Sequence, residues 1–562
     1  MKSLMSLWSQ LAEESANLCC TSASQDINTV LARVEHEGLS FLTITLPDLG
    51  KATQKWLDQG HAGIHSSFRS ERGGSFPRFL GGFFNRVFDR RSGVLLDEPC
   101  IDSIRAIRQL TLMFGKMELE CSKTRRVKAI RNYIKCEQEV RLFDSEISKS
   151  DLADFQDMSN MLFRSVFTKV DRDIYYGRIV PKHGPGSTAD GLTGNRKYLQ
   201  AVWTDRLEAV FPAYANLIPN WNFSSELDKV TYLEPGAEMP VKVILVPKTL
   251  KTPRVIAMEP TCMQYMQQGI LRSFLEHFYR DDFLRKVIGF DDQTPNQELA
   301  RSGSLDQRTA TLDLSDASDR VSNQLVRTML SDWPHFKEAV DATRSRRAVL
   351  PDKSIIRLAK FASMGSALCF PVEAMVFTTL IFLGIQKSLN TPLNRRSLRE
   401  FSDSVRVYGD DLIVPVDHVP SVVQTLEHFG ARVGLDKSFW TGKFRESCGR
   451  EYLNGRDVSI TRVRQALPDT IADATEVIST VSLRNQLAKA GCYDGTVEWL
   501  DTYLKKVLKH FPMVGPDSSV LGRVAWYSPA KGERWHSDLH TSLVKGYVVE
   551  AKIPSDPLAD YG

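Results

Sequence analysis

The stretch Val405-Arg406-Val407-Tyr408-Gly409-Asp410-Asp411-Leu412-Ile413-Val414-Pro415 decides how the rest of this 562-residue chain is read. Two apolar, β-branched runs flank a Gly-Asp-Asp tip, the pattern of a tight β-hairpin. Along a strand, neighbouring side chains point to opposite faces, so two adjacent aspartates there could not share one task. At a turn that restriction relaxes, and Asp410 and Asp411 can both sit near one site. Two like charges on a hairpin with buried flanks are costly unless cations neutralise them. Hard oxygen ligands of this kind suit Mg²⁺ or Mn²⁺. An isolated Gly-Asp-Asp is also an ordinary polar hairpin tip, so residues elsewhere must choose between the readings.

Length alone allows roughly three or four domains. Apolar residues make up 42% of the chain and charged residues 25%, the balance of a globular protein rather than a disordered one. The net charge of +4 is only weakly basic, so a polyanion partner must be held by a local patch. The nine cysteines are scattered, with no C-x-x-C pair, which fits a reducing compartment and argues against structural zinc. Met1 to Leu18 lacks a continuous apolar run of the signal-peptide kind. The most apolar run, Ala374 to Leu383, is too short to span a bilayer and reads as a buried helix. No secretion or membrane signal is expected.

Upstream of the hairpin, residues 1 to about 180 read as helix-rich. Lys123 to Lys135 is basic, with Val127, Ile130 and Ile134 spaced for one helical face. Either a solvated surface or a contact with nucleic-acid phosphates accounts for it. Gly184, Gly186 and Ser187 lie in a turn-rich loop beside Arg196 and Lys197 that would let a phosphate backbone approach. It has no G-K-[ST] end, so a P-loop is not supported. Val241 to Pro260 reads as strand, loop, strand, with Lys248, Lys251 and Arg254 projecting from a Pro-bounded loop suited to clamping a triphosphate. Thr309 to Leu312 reads as a short strand that ends on Asp313. Helical spacing follows from Val321 to Trp333, with Ser318 or Asp319 as the expected N-cap. Gly365 and Ser366 sit in a small-residue loop before a helix, where a sugar or base could approach closely. Downstream come Lys437 and the compact unit Phe444 to Gly449, and the pattern is helical again from about 465.

These parts are what phosphoryl transfer between nucleotides needs: carboxylates at adjacent strand ends for two divalent ions, cations for the triphosphate, and a lysine able to protonate a leaving group. In order and spacing the segments VPKTLKTPRVIAMEP (246–260), DDQTPNQ (291–297), ATLDLSDASD (310–319), SMGSALCFPVEAMVF (363–377), VYGDDLIVP (407–415), DKSF (436–439) and FRESCG (444–449) resemble the RNA-dependent RNA polymerases. The likeness is specifically to the replicase catalytic subunit of the levivirus-type single-stranded RNA bacteriophages, of which the Q-beta replicase is the familiar member. It is tight over about 240 to 460 and loose in the flanks.

The resemblance implies an α+β fold of the right-hand kind, with fingers, a palm of antiparallel sheet plus helices, and a thumb. Its parts would be an N-terminal region and fingers over 1–240, fingers with the basic loop over 241–300, palm over 301–460, and thumb with a C-terminal tail over 461–562. It implies RNA synthesis on an RNA template from ribonucleoside triphosphates, with release of pyrophosphate. Asp313, Asp410 and Asp411 would be catalytic and would hold two Mg²⁺ ions, with Mn²⁺ an alternative. Lys437 would be the general acid toward pyrophosphate. Lys248, Lys251, Arg254, Ser318, Asp319, Gly365 and Ser366 would bind the incoming nucleotide. Gly184, Gly186, Ser187 and Arg445 would contact RNA. Implied partners are the RNA template and product, host elongation factors Tu and Ts, and a ribosomal RNA-binding protein, in the cytoplasm of a bacterial host, with no membrane and no DNA. Three departures leave open which residue reads the ribose 2′-hydroxyl. Ser318 stands where many such polymerases have Asp, Glu373 where Asn is frequent, and Cys369 where Thr is frequent.

Two rival readings remain at this level. A reverse transcriptase also carries a Tyr-x-Asp-Asp hairpin, but it usually needs a bulky residue against the 2′-hydroxyl, whereas Leu-Ser-Asp-Ala-Ser-Asp after Asp313 is small and polar. A non-catalytic RNA-binding protein of polymerase fold need not keep three costly carboxylates.

Overall fold

The β-branched run Thr309–Asp313 forms a strand buried along its whole length until Asp313, which is what an apolar strand flanked on both faces requires. It pairs antiparallel with Asp411–Pro415, from Thr309 opposite Pro415 to Asp313 opposite Asp411. Asp411–Pro415 pairs in turn with Arg406–Tyr408, closing a three-stranded sheet with the hairpin strand Asp411–Pro415 in the middle. The expected hairpin and the expected strand therefore share one sheet. A computed structural model describes residues 1–70, 73–526 and 532–550, and its fold is α+β.

The chain forms two units. Among the described residues, one comprises 1–125, 247–253 and 456–550; the other comprises Arg126–Val246 and Arg254–Gly455. The sheet just described lies in the second. Its floor is the helix Cys369–Leu389, sixteen of whose residues are buried. The helices Lys149–Tyr175 and Val419–His428 complete the same core through Phe155, Phe163, Phe167, Val422 and Leu426. Gly384 lets two of these helices close up, since a Cβ there would stand 2.7 Å from the Val422 Cα. Among the described residues Cys369–Leu389 is the one helix long and apolar enough to cross a membrane, and 89% of its most apolar window is buried in the protein. The run Ala374 to Leu383 is thus the middle of a longer helix than expected, and its burial matches the expectation.

A second, four-stranded sheet in this unit contains Val241–Val246 and Arg254–Met258 as an antiparallel pair. The helix Lys123–Glu146 places Ile130 and Ile134 against this sheet's core, while Val127 stays 45% exposed.

In the first unit, the helices Lys2–Leu18, Leu46–Gln59 and Ile101–Leu112 pack together, and the buried Trp8 donates its Nε1 proton to the Leu110 carbonyl at 2.8 Å. Glu14 accepts the backbone N–H groups of Gly495 and Thr496, placing a carboxylate at the start of the helix Asp494–Leu508. Beyond that helix the chain forms short strands from Met513 to Val548 rather than the expected further helix. The tail after Lys552 lies outside the described residues.

Candidate active site

The turn at the hairpin tip spans two residues, with Gly409 at φ +59 and Tyr408 paired to Asp411 across it. A positive φ at the first central residue is the demand of a tight hairpin turn. A side chain at Gly409 would also collide with Phe370, 2.5 Å away. Asp410 is exposed at the tip, whereas Asp411 already belongs to the strand and is half-buried. The two carboxylates therefore differ in setting. Asp411 faces Asp313 across the ladder, and Asp410 stands at the turn. Arg406 anchors the hairpin from beneath, donating to Asn296 and to the carbonyls of Arg285 and Lys286.

Charge crowds this strand end. Burial pushes the Asp411 carboxyl up to about 7, and the charges of Asp410, Glu446 and Asp313 push the same way. Glu373, projecting from the buried floor helix, is raised to about 8 by burial and by Asp410 and Asp319, although the Ser318 hydroxyl donates to it. The Cys448 thiol is driven up by burial and by Asp411. Lys437 contacts this cluster, with its Nζ 2.8 Å from Asp313 Oδ1. Burial lowers the Lys437 ammonium, but Asp313, Glu446 and Asp410 outweigh that and hold it above its ordinary value. Among the described residues no three His, Cys, Asp or Glu side chains are already gathered closely enough to hold an ion. The donor set nonetheless suits a hard divalent cation: Asp313, Asp410 and Asp411 stand at adjoining strand ends, with Lys437 against Asp313.

Beside this cluster the structure distributes the residues expected to read the nucleotide. Ser318 bonds Glu373, and Asp319 takes Lys360 at 2.8 Å. Lys360 is fully buried between Asp319, Glu137 and the Tyr133 ring, 3.4 Å from its centroid. Neither Ser318 nor Asp319 caps the following helix. That helix begins at Asn323, and Ser322 accepts the Gln324 N–H at its start. The expectation fails because a separate turn of helix, Ala317–Arg320, intervenes and Asp316 enters it at φ +54. Gly365, at φ +135, packs where any Cβ would lie 2.0 Å from the Ala257 carbonyl oxygen. Ser366 donates to Gln267 at 3.1 Å.

The remaining expected residues belong to other elements. Lys248 and Lys251 belong to the first unit, where their loop is held by Arg125 and Cys121 through the Leu250 and Thr249 carbonyls. Arg254 opens a strand of the second unit and is exposed. The carbonyls of Gly184 and Gly186 accept the buried Lys197 ammonium, so the lysine of that loop closes it from inside, while Ser187 is exposed. Arg445 is a correction. It is fully buried and donates to the carbonyls of Thr309, Gly442 and Phe444, so its guanidinium ties Phe444–Ser447 to the strand Thr309–Asp313 and is not accessible to RNA. Its neighbour Glu446 is the acidic group near the site that the sequence reading did not single out; it lies inside FRESCG, where only Arg445 was chosen.

An antiparallel sheet that sets one aspartate against an Asp-Asp hairpin, with a lysine on the first, defines the class of site. The comparisons narrow it. Residues 228–498 match the protein family described as RNA replicase, beta-chain. The chain is 38% identical over 226 residues to the RNA-directed RNA polymerase subunit beta of Qbeta virus (strain MX1), covering 40% of this chain and 36% of that protein. It is 32% identical over 261 residues to the RNA-directed RNA polymerase beta chain of Enterobacteria phage fr, covering 46% and 42%. Against the beta chain of Escherichia phage MS2 it is 32% identical over 230 residues, covering 41% and 39%. The chain thus spans about two-fifths of the length of the curated relatives it matches, and its resemblance to the RNA phage replicases holds over that span. Among solved structures, the RNA-dependent RNA polymerase of a human picorbirnavirus aligns with 14% identity over 48% of this chain and 55% of that one, at a TM-score of 0.35. An RdRp complex aligns with 12% identity over 84% and 46%, at 0.44.

Proposed function

We propose that this chain is an RNA-directed RNA polymerase that extends an RNA strand from ribonucleoside triphosphates on an RNA template and releases pyrophosphate, as in phage genome replication. The observation that carries the reading is the register Asp313 opposite Asp411, with Asp410 at the adjoining turn and Lys437 on Asp313. Divalent ions, Mg²⁺ foremost, would be held by Asp313, Asp410 and Asp411 and would supply Lewis acidity toward the 3′-hydroxyl and the departing phosphates. The chain's own groups do the rest. Lys437, kept protonated by its carboxylate neighbours, would give a proton to the pyrophosphate oxygen. Lys248, Lys251 and Arg254 offset triphosphate charge. The Ser318–Glu373 pair and the Gly365–Ser366 loop supply polar groups for the ribose. We carry the fingers, palm and thumb division into the same proposal. Host elongation factors Tu and Ts and a ribosomal RNA-binding protein are included as partners in the bacterial cytoplasm.

The test is incorporation of labelled NTPs on an RNA template with Mg²⁺, by the wild type and by Asp410→Asn, alone and with bacterial extract. Product from the wild type and loss of at least about 10²-fold in the variant are expected. Equal incorporation of dNTPs would transfer the reading to a reverse transcriptase. No product from a folded, RNA-binding wild type under either condition would leave a non-catalytic RNA-binding protein.

A further inference from the structure

Away from the aspartates, the second unit has two adjoining recesses of about 610 and 550 Å³ with Arg327, Ser331, Lys337 and Asp341 in their common lining. Their walls come largely from the helices Asn323–Met329 and Pro334–Thr343 and from the segments holding Arg344, Arg346 and Arg357 to Ala359. Six cations line the pair of recesses: Arg206, Arg327, Lys337, Arg344, Arg346 and Arg357. Three carboxylates oppose them, and two of these are engaged. Asp341 pairs with Arg346 at 2.8 Å, and Asp144 accepts the Ser322 hydroxyl. Arg206 is taken by Glu238, and Arg344 by the carbonyls of Leu358, Lys360 and Phe361. Among the described residues the cationic groups of Arg327, Lys337 and Arg357 have no ion-pair partner.

Like charges converge here without enough counter-charge. Arg344 is lowered to about 10, by burial first, with Arg346 and Arg206 adding to it against Asp341 and Glu137. Between the cations lie uncharged hydrogen-bonding side chains, including Gln324, Thr328 and Ser331. Cations interleaved with amides and hydroxyls are the contact set of a phosphate–sugar backbone. Two contiguous recesses suit successive nucleotides of one strand better than a single small anion.

We propose that this groove is a second binding site of the chain, for the phosphate backbone of single-stranded RNA, with Arg327, Lys337 and Arg357 as its phosphate contacts. The inference rests on the polymerase reading, which requires RNA strands at this protein. It adds a track for them separate from the aspartates.

The experiment is binding of a fluorescein-labelled 12-nucleotide oligouridylate to the full chain, followed by anisotropy across a salt series. In the triple variant Arg327→Gln, Lys337→Gln, Arg357→Gln, Kd should rise about tenfold at moderate salt. The log–log salt slope should become shallower by about 2, since each phosphate contact on a single strand contributes about 0.7. A melting curve establishes that the variant is folded. If it is not, the single exposed change Arg327→Gln is read instead, with a slope shallower by about 0.7. Unchanged Kd and slope in a folded variant overturn the groove. Complete displacement of the oligonucleotide by inorganic phosphate makes it a small-anion site, and displacement by oligoglutamate makes it an acidic-protein site. Either result overturns the RNA assignment. A wild type that incorporates NTPs while the variant binds RNA unchanged sinks the groove alone. A wild type that neither binds RNA nor incorporates NTPs sinks the polymerase reading with it.

Discussion

Lys437 and Asp313 meet at 2.8 Å in a field of carboxylates, and that contact makes the lysine testable apart from the metal ligands. Lys437→Met should lower kcat by about 10²-fold or more with little change in KM, and should abolish the alkaline limb of the pH–rate profile. A variant that keeps that limb would remove Lys437 from the proton transfer. Glu373 offers a different readout. Its carboxyl titrates at about 8 in the folded chain against an ordinary 4.5, so between those values the native state holds the extra proton. Stability therefore falls as pH rises through that window. Glu373→Gln keeps a partner for Ser318 and removes the ionisation. It should match the wild type below about pH 4.5 and exceed it by a few kcal/mol above about pH 8. Parallel melting temperatures across the range would refute the assignment. Arg445 belongs to the fold. Arg445→Met should cost about 3 kcal/mol or more, because three backbone carbonyls lose a buried donor. The fraction that remains folded should bind RNA as the wild type does.

At the scale of elements, the hairpin and the strand before Asp313 were legible because their signals are local: β-branched runs, a Gly at the turn and a period of two. The cap was not. Ser318 and Asp319 look like helix starters, but their side chains are claimed by Glu373 and Lys360, which lie 55 and 41 residues away in the chain. No local pattern announces such partners. The floor helix shows the same limit, since its apolar run could be read but its contact with the helix Val419–His428 could not. Gly384→Val should push against the Val422 backbone and destabilise the chain by about 1–3 kcal/mol, seen as a drop of a few degrees in Tm. An unchanged Tm would mean that the helices part without cost.

At the scale of the whole molecule, all nine cysteines are free. Reductant should leave Tm unchanged, and a downward shift on reduction would reveal a disulfide. The ordered motifs, the acidic hairpin and the family likeness were determined by the sequence itself. Each depends on residue type and short-range spacing, which the chain carries without folding. Tertiary structure alone decided the rest. It paired Asp313 with Asp411, set Asp410 apart at the turn, buried Arg445, and brought Glu446 and Glu373 to the same charged strand end. It also gathered six cations from separated elements into one groove. Those outcomes depend on burial and on electrostatics between residues far apart in the chain, and such distances exist only once the core has closed.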